Sequence, residues 1–147
     1  MSSSTASASS AGPVHICRAA DVGQGSTGQT NGMTRKSAIV GKSNNVCGTL
    51  MLSEPHSGSD IHHHGHSDTI VYSVRGHGSI IYGPNEAEQR HDLKPGDWAL
   101  IPAWAEHKEV NDGDEEVEWV IVRAGAGEPI VVNLPGGWGS SKSQESS

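Results

Sequence analysis

The sequence predicts an all-β domain, a sandwich or barrel with a jelly roll foremost. Gly is abundant at 19 residues and Pro adds 7, while 33% of the 147 residues are apolar, 4% are aromatic and Phe is absent. That balance is poor for a helix bundle and suits a compact fold with many turns. Short apolar runs recur between turn signals, and no 3.6-residue amphipathic pattern persists over three turns. At 15.4 kDa the chain has room for one core, since a second domain would leave neither half enough buried surface.

The elements follow in order. Six of the first ten residues are Ser, and residues 1–32 read as a flexible Ser/Gly-rich segment. Its Gly23 to Gly32 portion is loop-like, and Val14 to Asn31 is expected alongside the folded unit. That unit spans residues 33–134. Its strand-length runs are Ser37 to Val40, Val46 to Leu52, Thr69 to Val74 and Ser79 to Tyr82. Trp98 to Ile101, Val117 to Val122 and Pro129 to Val132 continue the series. Gly76-His77-Gly78 and Gly83-Pro84-Asn85 are the turns that separate them. Residues 135–147 form a second flexible tail, with five Ser among the last eight residues.

Charge and composition exclude two classes of partner. A net charge of −7 opposes nucleic-acid binding, which wants a basic face. No run approaches the roughly 18 apolar residues that span a bilayer. Cys17 and Cys47 are too few for a disulfide framework and lack a CxxC spacing. The N-terminus has no basic region followed by an apolar stretch, so a cytoplasmic protein is the expectation.

Five of the nine histidines fall between positions 56 and 66: His56, His62, His63, His64 and His66. Alternate side chains of a strand share a face, so His62 and His64 point together and His63 points away. Two imidazoles converging in this way make half of a metal site. After His64 come four residues, Thr69, six residues and Gly76. After nineteen intervening residues Gly96 is followed by five residues, Pro102, Ala103, Trp104, two residues, His107, three residues and Asn111.

This arrangement resembles the two motifs of the cupin superfamily, Gly-x5-His-x-His-x(3,4)-Glu-x6-Gly and Gly-x5-Pro-x-Gly-x2-His-x3-Asn. The resemblance implies a single-domain double-stranded β-helix, a jelly-roll barrel, with one divalent metal ion held by His62, His64 and His107. Three positions depart from the motifs. His56 stands at the first Gly, Trp104 at the turn Gly and Thr69 at the Glu. Candidate fourth ligands are therefore Asp68, Thr69 and His66, with Asp68 needing a β-bulge to reach the metal. Glu109, two residues after His107, shares its face if both lie on a strand, and is both a reserve ligand and the candidate general base. Trp104 and Arg75 are candidate pocket residues, Arg75 as a partner for an anionic substrate. The acidic run from Asp112 to Glu118 reads as a solvated turn.

Fe(II) is the ion the resemblance favours, with Mn, Ni or Zn as alternatives, because imidazole suits all of these. It implies a dioxygenase-like oxidoreductase acting on a small oxygenated organic molecule. The stretches Gly32-Met33-Thr34-Arg35 and Ile130-Val131-Val132-Asn133-Leu134 look like small stand-alone cupins of bacterial and fungal origin, some from fungal secondary-metabolite clusters. Two other readings stay open: Lewis-acid isomerase, decarboxylase or lyase chemistry, and a non-catalytic small-molecule-binding cupin. A homodimer is expected, since pairing covers exposed strand edges.

Overall fold

The computed structural model describes residues 11–23, 32–83, 88–125 and 130–140. Most of both expected tails, the loop at 24–31 and the turn residues Pro84 and Asn85 lie outside them, as does Pro129 of the last expected strand. Among the described residues are eleven strands, beginning with β1 (Met33–Ile39), β2 (Val46–Ser53), β3 (Ser57–Gly58), β4 (His62–His63), β5 (Thr69–Arg75) and β6 (Gly78–Tyr82). They continue as β7 (Gln89–Leu93), β8 (Trp98–Ile101), β9 (His107–Asn111), β10 (Val117–Ala124) and β11 (Val132–Asn133). A 3-10 turn spans Ala19–Asp21, and among the described residues no helix is long and apolar enough to cross a membrane.

The strands form two antiparallel sheets. One has the order β1-β2-β10-β5-β8, the other β11-β4-β9-β6-β7 with β3 also paired to β9. From β7 onward each successive strand crosses to the opposite sheet, which is the winding of a jelly roll. Alternation decides what each strand buries. β10 turns Val117, Trp119, Ile121 and Arg123 inward, and β5 turns in Thr69, Val71 and Ser73.

The interior divides into two ends. Met33, Met51, Val71, Ile80, Leu93, Ile101, Val117, Trp119 and Ile121 form one apolar cluster drawn from both sheets. Fully burying each of its larger members stabilises the fold by about 1.5–3 kcal/mol. Toward the other end the ladder joins Cys47 to Arg123, Arg123 to Thr69 and Thr69 to Ile101. In the facing sheet His62 pairs with His107, His107 with Tyr82 and Tyr82 with Gln89. Polar inner residues thus gather where the histidines lie.

Two strands of the site carried no apolar run. β7 reads Gln-Arg-His-Asp-Leu and β9 His-Lys-Glu-Val-Asn, so both are polar and are held by cross-strand pairing with β6. The tight turn at Gly76 is demanded by its surroundings. A Cβ there would lie 2.5 Å from the Glu116 carbonyl oxygen, and its φ is +79°.

Candidate metal centre

β4 and the turn after it carry His62 and His64, and the first residue of β9 is His107. All three are buried, and one ring nitrogen from each lies within 4.8 Å of the others. Backbone carbonyls set the ring orientations. His62 Nδ1 lies 2.8 Å from the Asp60 carbonyl oxygen, His64 Nδ1 2.8 Å from that of Ile130, and His107 Nδ1 2.9 Å from that of Ala105. An Nδ1 facing a carbonyl must donate, so in the neutral ring the proton sits there and Nε2 presents its lone pair inward. His63 faces the opposite way, accepting from the Gly65 backbone N–H at 2.9 Å, with its ring against Trp104.

The fourth member is Glu109. Its Oε2 lies 2.9 Å from His62 Nε2 and 3.1 Å from His107 Nε2, and its Oε1 is 3.9 Å from Nη2 of Arg35. These distances are short, yet none of the three inward atoms completes a hydrogen bond of acceptable angle. Lone pairs aimed at a carboxylate oxygen around a common point repel unless a cation lies between them. The arrangement therefore fits a divalent ion held by three imidazoles and one carboxylate. Outer contacts of the kind that orient metal-binding histidines are already in place.

The titration behaviour has the same cause. Burial pushes the His62 pKa down, but the Glu109 carboxylate and the Asp60 carbonyl outweigh it, leaving it above the ordinary value. A proton on His62 takes the cation's part. Burial, then Arg123 and His107, push His64 down to about 2. Burial would raise the Glu109 pKa, yet the adjoining His62 and His107 rings hold it well below the carboxylate range.

The other candidates are placed elsewhere. His66 and Asp68 are exposed, and Asp68 Oδ1 accepts from the Ala103 backbone N–H at 2.9 Å. No bulge brings Asp68 inward, because regular β5 pairing begins at Thr69. Thr69 does face inward and is fully buried, but its short hydroxyl ends without a partner. Arg75 is a correction: it is exposed and paired with Glu116 at 2.6 Å and Glu118 at 3.1 Å. A register shift between Glu118 and Trp119 breaks the alternation that pointed it inward. Trp104 is 46% exposed and borders His63, away from the cavity described next. Asn111, the last motif residue, is a staple: its Nδ2 donates to the carbonyls of Ser53, Glu54 and Glu115.

A cavity of about 550 Å³ opens between β7 and β8, with His107 in its wall. Ile80, Leu93, Ala99 and Ile101 give it apolar sides, and the Tyr82 hydroxyl, 3.0 Å from His91 Nε2, is a polar feature. Sequence reasoning missed Arg123 and Arg35, both buried beside the histidines. The signal was present: Arg123 alternates with Val117, Trp119 and Ile121, and Arg35 with Met33.

A cupin-domain family model matches residues 49–123, just over half of the chain. The chain belongs to the cupin family. No curated protein matches it. Among solved structures this cupin is similar to the polyketide cyclase RemF from Streptomyces resistomycificus, with a TM-score of 0.60 and 19% identity over 70% of this chain and 71% of that one. An oxalate oxidase matches with a TM-score of 0.63 and 20% identity over 76% of this chain and 59% of its own. An uncharacterised double-stranded β-helix protein from Klebsiella pneumoniae subsp. pneumoniae MGH 78578 matches at 0.60 and 18% over 74% of this chain and 90% of its own. At such identities the likeness is one of fold.

Proposed function

We propose that this cupin is a metal-dependent oxidoreductase, dioxygenase-like, that acts on a small oxygenated organic molecule, with Fe(II) as the favoured ion. The observation that carries the reading is the convergence of three buried imidazoles and the Glu109 carboxylate beside a cavity of about 550 Å³. His62, His64, His107 and Glu109 would hold the ion, which supplies Lewis acidity and one-electron redox chemistry when bound. The carbonyls of Asp60, Ile130 and Ala105 keep the three Nε2 atoms aimed inward. Ile80, Leu93 and Ile101 exclude water and receive the apolar body of the substrate. The setting the family resemblance suggests is secondary-metabolite biosynthesis.

One observation favours a second reading, Lewis-acid chemistry without oxygen. Glu109 is ionised at neutral pH, as a general base must be. The first experiment is the metal content of protein purified without added metal, compared with His64→Ala and His107→Ala. Stoichiometric metal that falls sharply in both variants is the expected result. Wild-type protein that stays metal-free after reconstitution with Fe, Mn, Ni and Zn would remove both readings. Turnover that persists without oxygen would select the second.

A further inference from the structure

The buried charge of the interior does not balance. Among the described residues the buried charged side chains other than histidine are Arg35, Arg123 and Glu109, two cations against one anion. Glu109 is already engaged by His62, His107 and Arg35. A divalent ion among the histidines would widen the imbalance. Arg123, 4% exposed, has Nη2 3.4 Å from His64 Nε2, while its Nε and Nη1 have no hydrogen-bond partner among the described residues. Burial lowers its pKa to about 10, which still leaves it charged at neutral pH. A buried guanidinium with unpaired donors is costly to keep unless something completes it.

The neighbouring ladder position shows what is missing. Thr69 pairs with Arg123 in register, faces the same interior and carries a second orphaned polar atom, Oγ1. This is the position where the family motif has Glu; here it is Thr, so the ladder partner of Arg123 brings no charge to the guanidinium. Two unpartnered guanidinium nitrogens, Nε and Nη1, and an unpartnered hydroxyl on the paired ladder position are donors that suit an oxyanion.

We propose that Arg123, with Thr69, is a substrate-recognition residue that binds a carboxylate of the ligand, so the molecule this site accepts is a carboxylic acid anion. The inference rests on reading the site as one for small molecules, and it stands whether or not the reaction uses oxygen. Calorimetric titration with glycolate and benzoate, against the neutral glycolamide and benzamide, tests it on the full chain in metal-free and Zn(II)-loaded forms. At least one carboxylate is expected to bind about tenfold or more tightly than its amide, the scale of one lost charge-assisted hydrogen bond. Arg123→Gln abolishes that preference and Arg123→Lys restores part of it. The ligand-free Gln variant should melt no lower than wild type, because the unpaired buried charge is gone.

Equal affinity for acid and amide overturns the proposal, as does an Arg123→Gln protein that melts cooperatively and keeps the preference. Failure of both carboxylates to bind wild type up to their solubility limits overturns it too. Carboxylate preference in a protein that takes up no Zn(II) would sink the metal reading and leave this one standing.

Discussion

His64 carries a large electrostatic consequence for a single side chain. Its ring is held neutral, with a pKa of about 2 against the ordinary 6.5, so below pH 6.5 the unfolded chain binds a proton that the folded chain refuses. Stability from this residue is therefore complete above pH 6.5 and lost as the pH falls. The slope is about 1.4 kcal/mol per pH unit. The raised His62 acts in the opposite sense and above 6.5, and the depressed Glu109 acts only near and below the ordinary 4.5. Urea unfolding of metal-free protein at pH 6.5 and 5.5 should show a loss of about 1 kcal/mol, since the full slope is reached only well below 6.5, and His64→Gln should flatten it. An unchanged slope in the variant would show that some other group titrates there.

At the scale of the element, the two glycine departures from the cupin motifs have a common explanation. His56 and Trp104 are the only non-Gly residues with positive φ among the described residues, at +56° and +67°. The backbone keeps the left-handed conformation the motif specifies and bears about 1–2 kcal/mol of strain for it. Trp104→Gly should change stability by less than about 1 kcal/mol, relief of strain being offset by lost contact with His63 and a freer unfolded chain. Gly76→Ala should cost about 3 kcal/mol, because overpacking against Glu116 adds to the same backbone strain. Thermal or urea unfolding of the two variants checks the contrast. Alternation made β2, β5, β8 and β10 legible in the sequence to within a few residues, along with the inward pair His62 and His64. β7 and β9 were not legible as apolar runs, since neighbouring strands rather than their own composition hold them. Arg75 was misplaced because a bulge ended the alternation on which it depended.

The whole molecule presents an apolar surface that a lone chain gains nothing by exposing. On the outer side of the five-stranded sheet Trp98 is 68% and Leu100 64% exposed, with Ile70 and Tyr72 opposite them in register and Val122 beyond Ile70. β8 is also an edge strand with one side unpaired. A second copy of the chain is the proposed cover, and light scattering should give about twice the 15.4 kDa chain mass. Leu100→Glu should shift the particle to the monomer, and a wild-type monomer at all concentrations would refute the pairing. Site and fold were legible to different depths for a physical reason: motif spacing names ligands, while the charges around them come from strands far away in the chain. The carbonyl that orients His64 shows how far. It belongs to Ile130, 66 residues downstream, and β11 closes onto β4 beside it. During synthesis, then, the histidines emerge from the ribosome long before the group that aims one of them, and the His64 ring gains its orienting carbonyl only when Ile130 arrives.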